Sequence, residues 1–175
     1  LTPVKADQIA VVTVAPGAGI ARVFASLGVA AVIEGGQTMN PSTQQIVEAF
    51  ENLPTDKIII LPNNKNIILA AEAAAEVSVK KVFVVPSRTV PQGISALMRL
   101  APDADVEQVF NEMSSAIDDV ETAEVTTATR DVEIDGVEVK EGEIIGLHNG
   151  KLVVSAPDIQ EACLTLMNKI GMDDY

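Results

Sequence analysis

Three loops carry most of the side chains in this sequence that could hold a ligand. They are Gly35-Gly36-Gln37-Thr38-Met39-Asn40-Pro41-Ser42-Thr43, Pro62-Asn63-Asn64-Lys65-Asn66 and Pro86-Ser87-Arg88-Thr89-Val90-Pro91-Gln92-Gly93, and each follows a short apolar run and precedes a helix-like segment. In the first, Gly35 and Gly36 permit close ligand approach. The free amides of a helix start, joined by Gln37, Thr38, Asn40, Ser42 and Thr43, suit a phosphate or a carboxylate. A Gly-Gly turn and an Asn-Pro helix start explain the same residues by local rules alone. In the second, Asn63, Asn64 and Asn66 place several amides beside the charge of Lys65 where one cap would need a single Asn; local turn formation is the plainer alternative. In the third, Arg88 is the only charge, able to grip an oxyanion bidentately or to pair with an acidic neighbour, and Thr89 follows it.

The elements around these loops must place them together. Ile9–Ala15 is a continuous apolar run of the kind buried on both sheet faces, ended by a turn at Pro16-Gly17-Ala18-Gly19. A helix over Ile20–Leu27, terminated at Gly28, leads to a second strand at Val29–Ile33. Asn40 then reads as the N-cap and Pro41 as the first residue of a helix to about Leu53, with Ile46, Val47 and Phe50 inward. Further strands are expected at Lys57–Leu61 and Lys81–Val85, with helices over Ile67–Val77, from Pro91 to about Leu100, and over Val106–Ile117. This is an α/β pattern with a four-stranded, mainly parallel sheet and flanking helices. Loops that follow parallel strands emerge on one edge, so Gln37, Asn64 and Arg88 are expected on one rim.

From Glu121 the pattern changes to alternation. Ala123, Val125, Thr127 and Thr129 lie on one parity and Val132 and Ile134 on the other, which predicts a bend near Arg130. Asp135-Gly136 and Asn149-Gly150 suit two-residue hairpin turns, so Val132–Ser155 reads as an antiparallel meander. A closing helix from about Asp158 to Ile170 is expected to turn Ile159, Cys163, Leu166 and Met167 inward. The expected divisions are residues 1–118 for the α/β part, 119–156 for the meander and 157–175 for the closing helix.

Composition limits the partners. The 175 residues, 47% of them hydrophobic, suffice for a core, and with 3% aromatics that core must be aliphatic. A net charge of −13 disfavours nucleic acid and anionic lipid surfaces. No apolar stretch approaches the length needed to cross a bilayer, and no leader pattern opens the chain; with one cysteine, Cys163, the composition reads as cytoplasmic. Both ends read as cuts within a longer polypeptide. Catalytic equipment is sparse: His148 reads as a solvated hairpin residue, Cys163 as packing, no zinc cluster of His and Cys can be assembled, and no Gly-x4-Gly-Lys-Ser/Thr loop occurs.

Three strings, Val32-Ile33-Glu34-Gly35-Gly36-Gln37-Thr38-Met39-Asn40-Pro41-Ser42-Thr43, Leu61-Pro62-Asn63-Asn64-Lys65-Asn66-Ile67 and Val90-Pro91-Gln92-Gly93, resemble the carboxy-terminal region of the dihydroxyacetone-kinase-like proteins, the catalytic subunits of bacterial fatty acid kinase. Glu124-Val125-Thr126-Thr127-Ala128-Thr129-Arg130-Asp131 extends the likeness. The resemblance implies a DegV-like fold and a parent protein whose other domains bind ATP and magnesium and contribute to homodimerisation. It also implies a fatty-acid-carrying, DegV-like partner subunit. The family's metal-binding aspartate cluster has no counterpart here, so no catalytic residue, metal site or cofactor is carried over. The leading expectation is a non-catalytic accessory domain that docks the lipid-carrying subunit or binds a small anion at the three loops. The alternatives are acyl-carboxylate binding by the domain itself, with Thr38, Asn63 or Arg88 at the carboxylate, and phosphoryl transfer in the same cleft.

Overall fold

The computed structural model describes residues 1–134 and 136–171 and divides into two compact units, one spanning Leu1–Val120 and one beginning at Glu121. In the first unit, β1 (Ala10–Ala15), β2 (Ala31–Glu34), β3 (Lys57–Leu61) and β4 (Lys81–Val84) form an all-parallel sheet in the order β2-β1-β3-β4. Every residue of β1 is buried, because helices cover both faces of the sheet. On one face α1 (Gly17–Ser26), α4 (Val90–Leu97) and α5 (Val106–Ala116) enclose Val11, Phe24, Ile59, Leu61 and Met113. On the other, α2 (Thr43–Glu51) and α3 (Ile68–Val77) enclose Val12, Ile46, Phe50, Ile58 and Ile60. Adjacent Ile residues of β3 thus feed opposite cores, and each fully buried Ile or Phe contributes about 1.5–3 kcal/mol.

The strand order places the reversal of winding between β1 and β3. After β1 the chain crosses by α1 to β2 on one side, and after β2 it crosses by α2 to β3 on the other. Strand boundaries in this unit agree with the sequence pattern to within two residues. Two local expectations are corrected. Residues 17–19, expected as a turn, form the first turn of α1 behind Pro16. The N-cap of α2 is Ser42, not Asn40: its hydroxyl accepts from the Gln45 N–H at 3.2 Å, while Gln45 Oε1 accepts from the Ser42 N–H at 2.9 Å. This reciprocal box satisfies two otherwise open donors, which a cap at Asn40 cannot do.

In the second unit, β5 (Ala123–Thr127), β8 (Ile144–His148) and β9 (Lys151–Ala156) form an antiparallel sheet in the order β5-β8-β9, while β6 (Val132–Ile134) and β7 (Val137–Val139) form a separate hairpin. The expected meander is therefore split between two sheets. The expected bend is present, because β5 ends at Thr127 and the chain resumes as β6 at Val132. Asn149 and Gly150 both have positive φ, 50° and 79°, and close a two-residue turn between β8 and β9. Asp135 of the other expected turn lies outside the described residues, as does the chain end at Asp173–Tyr175.

A register shift in β9 sets Gly146 opposite Val154 but Leu147 opposite Leu152, so Val153 is an extra residue. This bulge sends Val154 to the face covered by α6 (Ile159–Ile170) and Leu152 to the opposite face, against Val139 and Ala128. α6 is capped by the Asp158 carboxylate, which accepts from the Glu161 N–H at 2.9 Å, and ends at left-handed Gly171. Its buried positions are Ala162 and Leu166, whereas Ile159 and Met167, expected inward, are exposed. Cys163 is half-buried.

Candidate functional site

All four parallel strands of the first unit end on one edge, and five buried hydrogen bonds knit strand ends and loops together there. Asn63, directly after β3, has φ 55°, a left-handed conformation that Asn tolerates. It turns its side chain inward to span three strand ends. Its Nδ2 donates to Thr13 Oγ1 and to the Val14 carbonyl of β1, both at 2.8 Å. Its Oδ1 accepts from the Ser87 hydroxyl, beyond β4, at 2.8 Å, and its own N–H donates back to Ser87 Oγ at 3.0 Å. Thr13 Oγ1 lies 3.4 Å from the Leu61 carbonyl, to which it donates. Thr13, Asn63 and Ser87 are all buried, so each bond replaces solvation that burial removed.

Gly93, in α4, completes the arrangement by having no side chain. A Cβ there would lie 1.9 Å from Asn63 Oδ1, so helix α4 approaches the Asn63 amide only because position 93 is glycine. Gly36 makes a similar approach: a Cβ would meet Pro16 at 3.1 Å, joining the loop after β2 to the loop after β1. Gly35 is wedged between Pro41, Val14 and Met39, with all three distances at or below 3.0 Å from a hypothetical Cβ. Packing thus leaves no room for a side chain at Gly35 and makes position 36 tight.

Sequence reasoning alone does not group Thr13, Ser87 and Gly93 as members of one network. They belong to a strand, a loop and a helix, and the only signal for the first is a lone Thr in a seven-residue apolar run.

The remaining candidates divide by their engagement. Gln37 and Thr38 form the exposed tip of a tight turn closed by Gly36 and Met39, whose backbones exchange hydrogen bonds of 2.9 and 3.3 Å. Asn40 is exposed, Ser42 is spent on capping and Thr43 opens α2. Asn64 is buried and its Oδ1 accepts from the Asn66 N–H at 2.9 Å, a private turn of its own. Asn66 and Lys65 are exposed. Thr89 caps α4 by accepting from the Gln92 N–H at 3.3 Å, and the Arg88 N–H donates to Gln92 Oε1 at 2.8 Å. Arg88 itself is exposed.

Gln37, Asn64 and Arg88 therefore follow β2, β3 and β4 on the same edge, with the outer strands about 14 Å apart at normal inter-strand spacing. Among the described residues, no acidic side chain lies within ion-pair distance of Lys65 or Arg88. At the β2 end, a cavity of about 220 Å³ is lined by Ala15, Gly17, Ala18, Ala21, Val32 and Glu34. The edge thus has a cationic side after β3 and β4 and a small, acid-flanked hollow after β1 and β2.

The second unit holds a distinct polar cluster. Glu121 accepts from Asn149 Nδ2 at 2.6 Å and is hydrogen-bonded to His148 Nε2, while Asn149 Oδ1 accepts from the Thr122 N–H at 3.0 Å. His148, first by its hydrogen bond, and then Asn149 hold the Glu121 carboxyl below its ordinary pKa. The Lys140 N–H and the Ser155 hydroxyl do the same for Glu143. His148 is thus tied down, where a solvated hairpin residue was expected. Among the described residues, no group of three or more His, Cys, Asp or Glu is placed to hold a metal ion.

A doubly wound parallel unit followed by an antiparallel unit with its own helix is the architecture of the DegV class. A DegV-family protein of Ruminococcus gnavus, whose structure is described with vaccenic acid, superposes with a TM-score of 0.60 at 12% identity, over 94% of this chain and 78% of that one. Residues 10–175 match the FakA-like C-terminal family, the carboxy-terminal region of fatty acid kinase subunits of the FakA type, and the chain belongs to that family. Protein YloV of Bacillus subtilis is 47% identical over 174 residues, 99% of this chain and 32% of its own length. An uncharacterized protein of Staphylococcus epidermidis is 41% identical over 97% of this chain and 31% of its own. The chain thus spans about a third of the curated relatives it matches. No described helix is long and apolar enough to cross a membrane.

Two outcomes follow from these geometries. Gly93→Ala destabilises the chain by at least about 2 kcal/mol in urea unfolding, and the same substitution costs much less in an Asn63→Gly background, where the opposing amide is absent. Equal costs in the two backgrounds would show that the clash is not with Asn63.

A group whose pKa is lowered by folding adds stability above its unfolded pKa and loses it as pH falls through the folded value. The stability difference between the wild type and Glu121→Gln therefore shrinks on acidification from neutral pH to about pH 3, whereas Glu143 contributes to both chains and cancels. Urea midpoints across that range measure it; a difference independent of pH would remove Glu121 as its source.

Proposed function

We propose that this chain is the non-catalytic docking module of a fatty-acid-kinase-like protein, receiving a DegV-like subunit that carries the fatty acid. The observation that carries the reading is the cationic side of the strand edge. Lys65 and Arg88 stand exposed and without acidic partners among the described residues, on a chain of net charge −13. Exposed cations left unpaired where the fold concentrates its loop ends suit an anionic group presented from outside, and the carboxylate or acyl phosphate of a bound lipid is such a group. The buried Asn63 network holds the backbone beneath them still. In this reading ATP, magnesium and phosphoryl transfer belong to other domains of the longer polypeptide.

The fold neighbour described with vaccenic acid favours a second reading, in which this domain itself holds an acyl chain. The two readings separate experimentally. Calorimetric titration of the chain with the fatty-acid-loaded carrier protein gives measurable binding, weakened about tenfold or more when Lys65 and Arg88 are both replaced by Ala, since each charged contact is worth about 1.5–3 kcal/mol at full burial and less at an exposed rim. Absence of heat at high micromolar concentration rejects docking. Native mass spectrometry of the purified chain reads the second: co-purified fatty acid supports it, and a clean apo mass removes it.

A further inference from the structure

Asn-Gly occurs once in the sequence, at Asn149-Gly150, where it forms the exposed two-residue turn between β8 and β9. An asparagine that precedes glycine deamidates readily, because a residue without a side chain leaves its backbone nitrogen free to reach the asparagine Cγ. Water is the only co-reactant. The Gly150 nitrogen gives up its proton to solvent and bonds to Cγ, the Cγ–Nδ2 bond breaks, and Nδ2 takes a proton and leaves as ammonia. Water then opens the cyclic imide at either carbonyl, leaving aspartate or isoaspartate.

Both ends of this amide are held. Nδ2 donates to the Glu121 carboxylate at 2.6 Å, and Oδ1 accepts from the Thr122 N–H at 3.0 Å. Thr122 is 3% exposed, so its N–H has to find a partner within the fold. In the other direction the Asn149 N–H donates to the Thr122 carbonyl at 2.8 Å. Side chain and backbone of Asn149 together prolong the β5–β8 ladder one residue past the Ala123–His148 pair. Glu121 is fixed from a second side by His148 Nε2. Attack requires the Asn149 backbone and side chain to turn until Cγ meets the Gly150 nitrogen. The paired turn, with φ of 50° and 79°, fixes the first and the two hydrogen bonds fix the second, so attack waits for a local opening.

We propose that Asn149-Gly150 is a deamidation site kept unreactive by the Glu121–Thr122 clasp, and that its conversion opens this end of the second unit for good. Either product exchanges the Nδ2 donor for a carboxylate, so a 2.6 Å attraction to Glu121 becomes a repulsion between like charges. Isoaspartate also carries the main chain through Cβ, adding an atom to a turn whose flanking residues, His148 and Lys151, are directly paired. Pushed away from Glu121, the side chain at position 149 leaves the Thr122 N–H without its acceptor.

Incubation of the 175-residue chain at mildly alkaline pH, followed by peptide mapping with mass spectrometry, reads conversion at Asn149. The folded chain should convert more slowly than the urea-unfolded chain, at a rate that stays flat in urea below the unfolding transition, as local opening requires. Glu121→Ala, checked for folding by circular dichroism, should convert about tenfold faster, the share that one exposed hydrogen bond to a carboxylate holds back. In the converted chain, separated by ion exchange, the Thr122 amide should exchange its hydrogen faster than in the parent. A folded chain that converts as fast as the unfolded one, a rate that climbs with urea as global unfolding does, or a folded E121A chain no faster than the wild type overturns the protected site. Unchanged Thr122 exchange in the product overturns the opening. The urea profile needs no substitution and decides even if E121A fails to fold.

Discussion

The Asn63 amide is the point on which the strand edge of the first unit depends. A buried primary amide has two donors and an acceptor to satisfy, and leaving one open costs about 1–3 kcal/mol. Here both donors go to β1 and the acceptor goes to Ser87 beyond β4, so the requirement is met only if three strand ends are in register. The φ of 55° aims the side chain inward, and the missing Cβ at Gly93 lets α4 close over it. The loop positions at the reversal of winding follow from this one constraint.

That constraint separates holding from binding. Asn63, Ser42, Gly35 and Gly36 are consumed by packing and capping, and Asn64 by its own turn. The polar groups left to meet another molecule are Lys65, Asn66 and Arg88 on one side of the rim and Gln37, Thr38 and Asn40 on the other. On a strongly acidic chain, Lys65 and Arg88 are exposed cations at the loop edge with no acidic partner among the described residues.

Much of the fold was legible in the residues. Lys57–Leu61 is apolar throughout after its first residue because both faces of a central parallel strand are covered, and its ends agree with the structure at both residues. Asn149-Gly150 identified its hairpin because few other dipeptides take two successive positive φ angles. Errors arose where two local rules compete for the same residues. Asn40-Pro41 and Ser42-x-x-Gln45 are both helix-start signals, and the reciprocal box prevailed because it closes two donors. On α6, Ile159, Cys163 and Met167 fit helical spacing as well as Ala162 and Leu166 do. The structure buries Ala162 and Leu166 against Val154 and Ala156, and Leu166 lies directly over Gly146.

By itself the sequence determined the alternation of strands and helices, the change of character at Glu121 and the clustering of polar loops after strands, because these are written in the period of apolar residues and in turn chemistry. The tertiary structure alone decided which of the polar residues are already spent. Thr13, Asn63 and Ser87 lie 24 or more positions apart and nothing in the sequence links them, and only the strand order brings their hydrogen-bonding groups within 3 Å of one another.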